Sequence, residues 1–458
     1  MRDLVLTALI FGLLPACVWR PWIGILVWYW FGLMNPHRHT WDFAYSMPFG
    51  ALIGGATLVG VLFAKDRKPI PWNPGLVLVV VLFLYFVFTT FFAWAPAFAW
   101  PQLNKVFKIV LMTLIATMFI YGKDRIYALM LVIAGSIGFY GVKGALWVAR
   151  SGGAERVQGP DGSFMEGNTF IGLAFVMVIP ILVYLGRDEK RRWLRNLLFT
   201  SAGMTIVSTV FTYSRGAYLG LAVIIPLIFW RSKRKWLAAA FLIPAIVAAP
   251  FVLPDSVFQR ASKIENYEDD GSANQRLQSW TVAWNLASDY PLTGAGFEFE
   301  YAPADERWLA YGNQKYSWAI SHSSAAHSIY FQVLGQHGFV AFALYMALLI
   351  GTLVSLGRLR TLSRATPDHE WIGNYATGLQ IGMVGYMVSG AFLSSAYFDL
   401  AYLYYALVAI LWREARLAVK PLDKQGLERV GALRREGRQG APERREGWPE
   451  SQTDALAR

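Results

Sequence analysis

The feature that most constrains this chain is a series of long stretches almost free of charge, separated by short loops rich in Lys and Arg. The stretches lie at about 4–34, 49–64, 75–94, 105–121, 126–148, 168–186, 196–230, 236–253, 328–356 and 372–412. A hydrocarbon layer about 30 Å thick takes roughly 20 apolar residues in helical form, so most stretches match one crossing each. Three are too long for that, and each has an interior break, at Arg20-Pro21, Ser214-Arg215-Gly216 and Ser394-Ser395-Ala396. Inside lipid only helices or closed barrels satisfy the backbone. The expectation is therefore an all-α, polytopic membrane helix bundle of about twelve transmembrane helices. Charged residues make up 16% of the chain, against about a quarter in a soluble domain, which argues against an ordinary soluble enzyme.

The basic loops orient the bundle. They are 65–68, 123–125, 187–195, 231–235, 358–364 and 413–420, and two helices separate each consecutive pair, so all six fall on one side. The positive-inside rule assigns that side to the cytoplasm. The net charge of +12 is then a signal of topology and not a nucleic-acid footprint. The opposite face receives 95–104, 150–167, the Arg215 turn, 254–326 and the Ser394 turn. Residues 1–34 resist the count. A cytoplasmic N-terminus needs an odd number of crossings, yet the stretch reads as two short helices, so one is expected to be re-entrant or broken at Pro21. The single cysteine, Cys17, excludes an intramolecular disulfide and a Cys-based metal site. Leu14-Pro15-Ala16-Cys17 faintly resembles a lipoprotein cleavage box, but Pro15 fits it poorly, and Cys17 is expected to be a small packed residue. The resulting layout is an N-terminal transmembrane bundle (1–253), a large outer loop (254–326), C-terminal transmembrane helices (327–415) and a disordered cytoplasmic tail (416–458).

The outer loop carries ten acidic and five basic residues, opposite in sign to the basic loops. A loop this long is uncommon unless it is functional or has structure of its own. Asn274 to Asp289 has helical periodicity that puts Arg276, Trp280, Trp284 and Ala287 on one face, and Tyr290-Pro291 stops the run. Three ionisable residues stand out on this side. Arg215 lies at a helix break beside Ser214, Gly216 and Ala217; it either snorkels to the headgroups or faces a cavity with an anionic partner. Arg276 is either a solvated charge or a ligand for the same anion. His327 opens a helix and is either a satisfied structural residue or a base. Together, two guanidinium groups can hold phosphate oxygens at any relevant pH, and a neutral imidazole can take a proton from an attacking hydroxyl. That set suffices for glycosyl transfer from a lipid-diphosphate sugar without a metal.

At these residues the chain resembles the O-antigen ligase and polymerase superfamily. The resemblance rests on Ser214-Arg215-Gly216-Ala217, on Arg276 with Trp280 and Pro291 to Gly296, and on His327-Ser328 followed by Gly338, with Ala341 a mild departure at the last motif position. It covers most of residues 1–415 in layout. Met34-Asn35-Pro36-His37-Arg38 also resembles the O-glycosylation ligase branch associated with exosortase systems. The resemblance implies a GT-C-like glycosyltransferase of the bacterial inner membrane, with its active site facing the periplasm. The donor would be a glycan on undecaprenyl diphosphate, and the acceptor a hydroxyl of lipid A–core oligosaccharide.

In that reading Arg215 and Arg276 bind and stabilise the diphosphate, and His327 is the catalytic base. Reaction is by inversion, with no cofactor and no metal. His322, Tyr213, Trp280 and Asn168 are further candidates for the same cleft. Asp161 and Glu166 could bind acceptor sugar, His37 and His39 read as interfacial, and His337 reads as structural, about 15 Å deeper than His327 on a straight helix. Two rivals lie within the superfamily, a polymerase with a second lipid-linked repeat as acceptor and a protein O-glycosylation ligase. A third, from another class, is a lipid-linked-sugar flippase or transporter, which would show pseudo-symmetric halves and charges at mid-membrane.

Overall fold

The computed structural model describes residues 1–232, 235, 271–301, 310–312, 324–364 and 369–419. Among these residues every regular element is helical, and the only ladder contact is an isolated bridge between Gly159 and Gly167. In chain order the α-helices are α1 (Arg2–Trp19), α2 (Pro21–Met34), α3 (Phe49–Phe63), α4 (Pro74–Thr90), α5 (Pro96–Phe119), α6 (Gly122–Ser151) and α7 (Gly167–Asp188). They continue with α8 (Arg192–Val210), α9 (Arg215–Trp230), α10 (Gly271–Asp289), α11 (Ile329–Arg364), α12 (Glu370–Gly390) and α13 (Asp399–Val419). Five of them, α1, α5, α6, α7 and α11, are long and apolar enough to cross a membrane by length and composition, and α2, α3, α4 and α9 are shorter apolar helices. Residues 236–270 and, apart from 310–312, residues 302–323 lie outside the described residues.

The core sits around α7, which is apolar on every side and buried along nearly its whole length. Such a helix needs neighbours on all faces, and it has them in α6, α8, α9 and α12. Close approach to α12 depends on missing side chains: a Cβ at Gly382 would come within 2.6 Å of Met177 O, and one at Gly385 within 2.5 Å of Val176. Small residues let apolar helices meet backbone to backbone, which is how packing is gained where lipid is the solvent.

All three breaks read from the sequence occur, and each changes the path of the chain. Pro21 sits at the first position of α2, where its missing N–H costs nothing, and Arg20 is the one residue between α1 and α2. The two helices fold back on each other. Asp3 near the start of α1 accepts backbone N–H bonds from Asp42 (3.1 Å) and Ala44 (3.3 Å), which follow α2. The N-terminus therefore shares a face with residues 35–48, and no re-entrant segment is needed. Cys17 is buried against α3, as expected for a packed residue.

The six basic loops gather at one end of the bundle. Arg125 pairs with Asp66 (3.1 Å), Lys123 with Asp188 (3.6 Å), and Arg413 donates to Thr117 O and Ile120 O (2.6 Å each). Arg231 reaches Gln380 (2.8 Å), and Tyr184 feels Arg187, Arg231 and Arg360 together. The last helix runs on to Val419, four residues into the segment expected to be disordered; 420–458 lie outside the described residues.

The helix after the outer loop departs most from expectation. α11 has 36 residues, but Gly338 inside it has φ 74° and ψ −174°, so two helices meet there at a kink. A Cβ at Gly338 would lie 2.4 Å from Pro291 O, and Phe339 N donates to that carbonyl (2.8 Å). The turn at 290–296 is thus latched onto the kink, with Gly294 and Gly296, both at positive φ, lying against the backbones of Gln336 and Ala93. His337 stands at the bend and not far down a straight span.

Candidate functional site

The end opposite the basic loops holds two of the three helix breaks; the third, at Arg20-Pro21, lies at the basic end, where Arg125 stands over Trp22 (5.2 Å). The first is the turn at 211–214. Asn168, at the start of α7, donates its amide to Thr212 O (2.8 Å), and Val157 N donates to Phe211 O (2.9 Å). Tyr213 adopts φ 54°, a left-handed conformation costly for a non-glycine residue, and its hydroxyl donates to Gly153 O (2.8 Å). Asn168 and Tyr213 thus direct polar atoms to the backbone and shape the turn that delivers Arg215. Ser214 caps α9 by accepting from Ala217 N (3.4 Å). Arg215 is then the first residue of α9 and is half-buried. A cation at a helix N-terminus sits at the positive end of the macrodipole, a placement that suits an anionic ligand shared by both.

The second break follows α12. Ser389 to Leu393 end that helix, and Gly216 lies against them: a Cβ there would meet Ser389 O at 3.1 Å and Phe392 Cβ at 3.5 Å. Phe392 in turn faces Trp280 of α10 (centroids 6.5 Å), and Trp280 stacks flat on Phe331 of α11 (5.0 Å, 8°). Ser394, next in the turn, accepts the backbone N–H of His327 (2.7 Å). The Ser389–Ser394 turn is therefore the hub at which α9, α10 and α11 converge.

His327 is clamped on both sides. Ala326 O accepts from Trp280 Nε1 (2.7 Å), His327 N donates to Ser394 Oγ, and His327 itself holds φ 45°. Strained backbone of this kind persists only where its surroundings impose it. The imidazole is half-buried, and its pKa is lowered from the ordinary histidine value, first by burial and then by the charge of Arg276. Both effects favour the neutral ring, the form that can accept a proton at pH 7. Arg276 and His327 are thus brought within electrostatic reach. Arg215 reaches the same turn through its neighbour Gly216.

Other candidates separate from this group. His322 lies outside the described residues. Asp161 and Glu166 are exposed, and Glu166 accepts from Gly162 N (3.0 Å). His37 stacks on Phe31 (4.8 Å, 11°), and burial followed by Arg38 pushes its pKa down to about 4. His39 meets the Tyr140 hydroxyl (3.0 Å). His337 is fully buried with both ring nitrogens engaged, Nδ1 with Thr89 (2.6 Å) and Nε2 with Tyr397 (2.9 Å).

Residue patterns did not single out Ser394 as a partner, nor the network around His337. Tyr397 donates to Gln336 (2.7 Å), and Gln336 adjoins Glu300, a carboxyl 6% exposed whose pKa is pushed up to about 7 by burial and by Glu298. Glu298 holds φ 53°. These residues lie on α11, on the turn before α13 and on the 290–301 segment, so no sequence spacing relates them.

Residues 197–346 match the family model described as O-Antigen ligase. The match, over 150 of the 458 residues, supports the resemblance to the O-antigen ligase and polymerase superfamily. The matched segment includes Tyr213, Arg215, Arg276, Trp280 and His327, so the residues converging on the Ser389–Ser394 turn from α9, α10 and α11 lie within it. Residues 1–190 match a second model, described as a family of unknown function (DUF5935). No curated protein matches the chain.

Proposed function

We propose that this protein is an O-antigen ligase. It would transfer a glycan from undecaprenyl diphosphate to a hydroxyl of lipid A–core oligosaccharide, at the periplasmic face of the inner membrane. The observation that carries the reading is the pairing of a histidine kept neutral with an arginine beside it, at a helix junction where a second arginine opens α9. Arg215 and Arg276 hold the two phosphates of the donor. As the bond from the anomeric carbon to the phosphate oxygen breaks, the growing negative charge on that oxygen is stabilised by their guanidinium groups. His327 removes the proton of the acceptor hydroxyl, whose oxygen forms the new bond to the anomeric carbon from the opposite face. The products are the glycosylated acceptor, with inverted configuration, and the lipid diphosphate, which leaves with its electron pair. The diphosphate is already an activated leaving group, so the proposed reaction needs no nucleotide and no metal.

The test is reconstitution with undecaprenyl-diphosphate glycan and lipid A–core in the presence of a chelator. Ligated product is expected. Product only after a divalent metal is restored would refute the mechanism, and product only with a second lipid-linked repeat or a protein as acceptor would move the assignment to a polymerase or an O-glycosylation ligase.

A further inference from the structure

A cavity of ≈200 Å³ opens between α2, α5 and the start of α13, on elements other than those that converge on His327. Its wall includes Trp28, Tyr29, Gly32, Lys105, Lys108 and Asp399. Three features set it apart from a packing defect. Lys105 and Lys108 are three residues apart on α5, so they share a face, and both are exposed on a helix long and apolar enough to cross a membrane. The Phe119 end of α5 lies at the basic-loop end, where Arg125 donates to Phe119 O. At 1.5 Å per residue the two lysines stand about 21 and 16 Å from that end, within the thickness of the hydrocarbon layer. Ionisable groups at such a depth are costly and mark binding or transport sites by default.

The second feature is Tyr29. It is buried to 7% exposure, and its hydroxyl has no hydrogen-bond partner among the described residues. The Thr113 hydroxyl is nearby and interacts with it electrostatically, while donating its own proton to Ile109 O (2.8 Å). A buried hydroxyl without a partner is expensive, and this one belongs to a residue that lines the cavity. The third is a carboxylate of opposite sign in the same space. Asp399 lines the cavity and, like Glu298, is in electrostatic contact with Lys105, yet no salt bridge joins Asp399 to either lysine among the described residues. The cavity thus offers two cations, a hydroxyl donor and an anion, beside the apolar surfaces of Trp28, Leu33 and Met112.

We infer that this cavity binds the headgroup of a phospholipid carrying both a phosphate and a primary amine. Lys105, Lys108 and Tyr29 take the phosphate, Asp399 takes the ammonium, and the acyl chains lie along α2 and α5. A purely anionic head would meet Asp399 unfavourably, and a trimethylated amine could not donate hydrogen bonds to it. The site does not depend on the donor or acceptor assigned above, and its ligand is measured without either of them.

The experiment is native mass spectrometry of the full-length protein titrated in turn with phosphatidylethanolamine, phosphatidylglycerol and phosphatidylcholine, with inorganic phosphate as competitor. Phosphatidylethanolamine should be retained about tenfold better than the other two, roughly the value of one charge-assisted hydrogen bond. Free phosphate should not displace it. The double variant Lys105→Gln/Lys108→Gln should lose that retention, and Asp399→Asn should bring phosphatidylglycerol level with phosphatidylethanolamine. Equal retention of all three lipids by the unmodified protein, displacement by free phosphate, or undiminished binding by the double lysine variant would overturn the inference. The lipid comparison on the unmodified protein decides the matter even if a variant fails to fold.

Discussion

The two ends of the bundle use charge in opposite ways. At the basic-loop end the cations are matched within the protein: Arg125 with Asp66 and Phe119 O, Lys123 with Asp188, Arg413 with two helix-terminal carbonyls and Glu414. Several also lie over aromatic rings, as Arg125 does over Tyr121 (4.2 Å). At the other end the charges of interest stand at interruptions of helices. Among the described residues all four non-glycine positions with positive φ, at Asn35, Tyr213, Glu298 and His327, are there. Cations that close on their own protein stabilise helix ends. Arg215 opens α9 at a strained turn and Arg276 lies within electrostatic reach of a half-buried imidazole, and the proposed function gives both to an arriving diphosphate. On the proposed function, the contrast separates a scaffold from a site within one bundle.

The contrast makes predictions that differ in kind between the ends. The largest effect belongs to His327. His327→Ala should slow ligation by about 10²- to 10⁴-fold, the usual contribution of a general base, with an unchanged thermal transition; full rate in the reconstituted assay would remove His327 as the base. Next is Arg276. Its loss should cost about 10²- to 10³-fold, as for other groups that stabilise developing charge. It should also shift the pH–rate profile. Because burial and Arg276 both lower the pKa of His327, the acid-side limb of the unmodified enzyme should fall below pH 6.5. Removing one of those two causes should move the limb to higher pH, and an unmoved limb would uncouple the two residues.

A third prediction concerns Glu300. Burial raises its folded pKa from 4.5 to about 7, so between those values the folded state holds a proton that the unfolded state has released. Stability should therefore decline as pH rises from about 4.5 to about 7 and level off above, by on the order of 3 kcal/mol at most. Glu300→Gln, which mimics the protonated form, should flatten that decline in a melting series across pH. The smallest effect is expected at the basic end. Arg413→Ala leaves Thr117 O and Ile120 O without their donor and should cost about 1–3 kcal/mol of stability, while turnover of the folded fraction stays as before. A large loss of turnover there would blur the line between scaffold and site.

Much of this was legible in the residues because it depends on local order. Charge-poor stretches of helical length, a proline at the first turn of α2, and the interruptions at Ser214-Arg215-Gly216 and Ser394-Ser395-Ala396 are read one segment at a time. The gathering of six basic loops followed from counting helices between them. Arg276 and Trp280 on one helical face followed from periodicity. What stayed hidden was contact between segments. Nothing near His327 in the chain points to Ser394, 67 residues on, as the acceptor of its backbone N–H. Nothing in the chain order places the polar atoms of Asn168 and Tyr213 on Thr212 O and Gly153 O.

The kink at Gly338 shows the boundary most clearly. The sequence contains a glycine in an apolar run, which an unbroken helix tolerates at a cost of about 1 kcal/mol. Only the turn at 290–296, packed so closely that a side chain at 338 would strike Pro291 O, makes a left-handed bend the stable choice. By itself, then, the order of residues determined which segments are helical, where three of the breaks fall and on which end the charges lie, because hydrophobic period and helix termini are local. The tertiary structure decided which breaks meet, how α1 folds back on α2, and that Arg276 stands by His327, because those outcomes rest on packing between helices far apart in the chain.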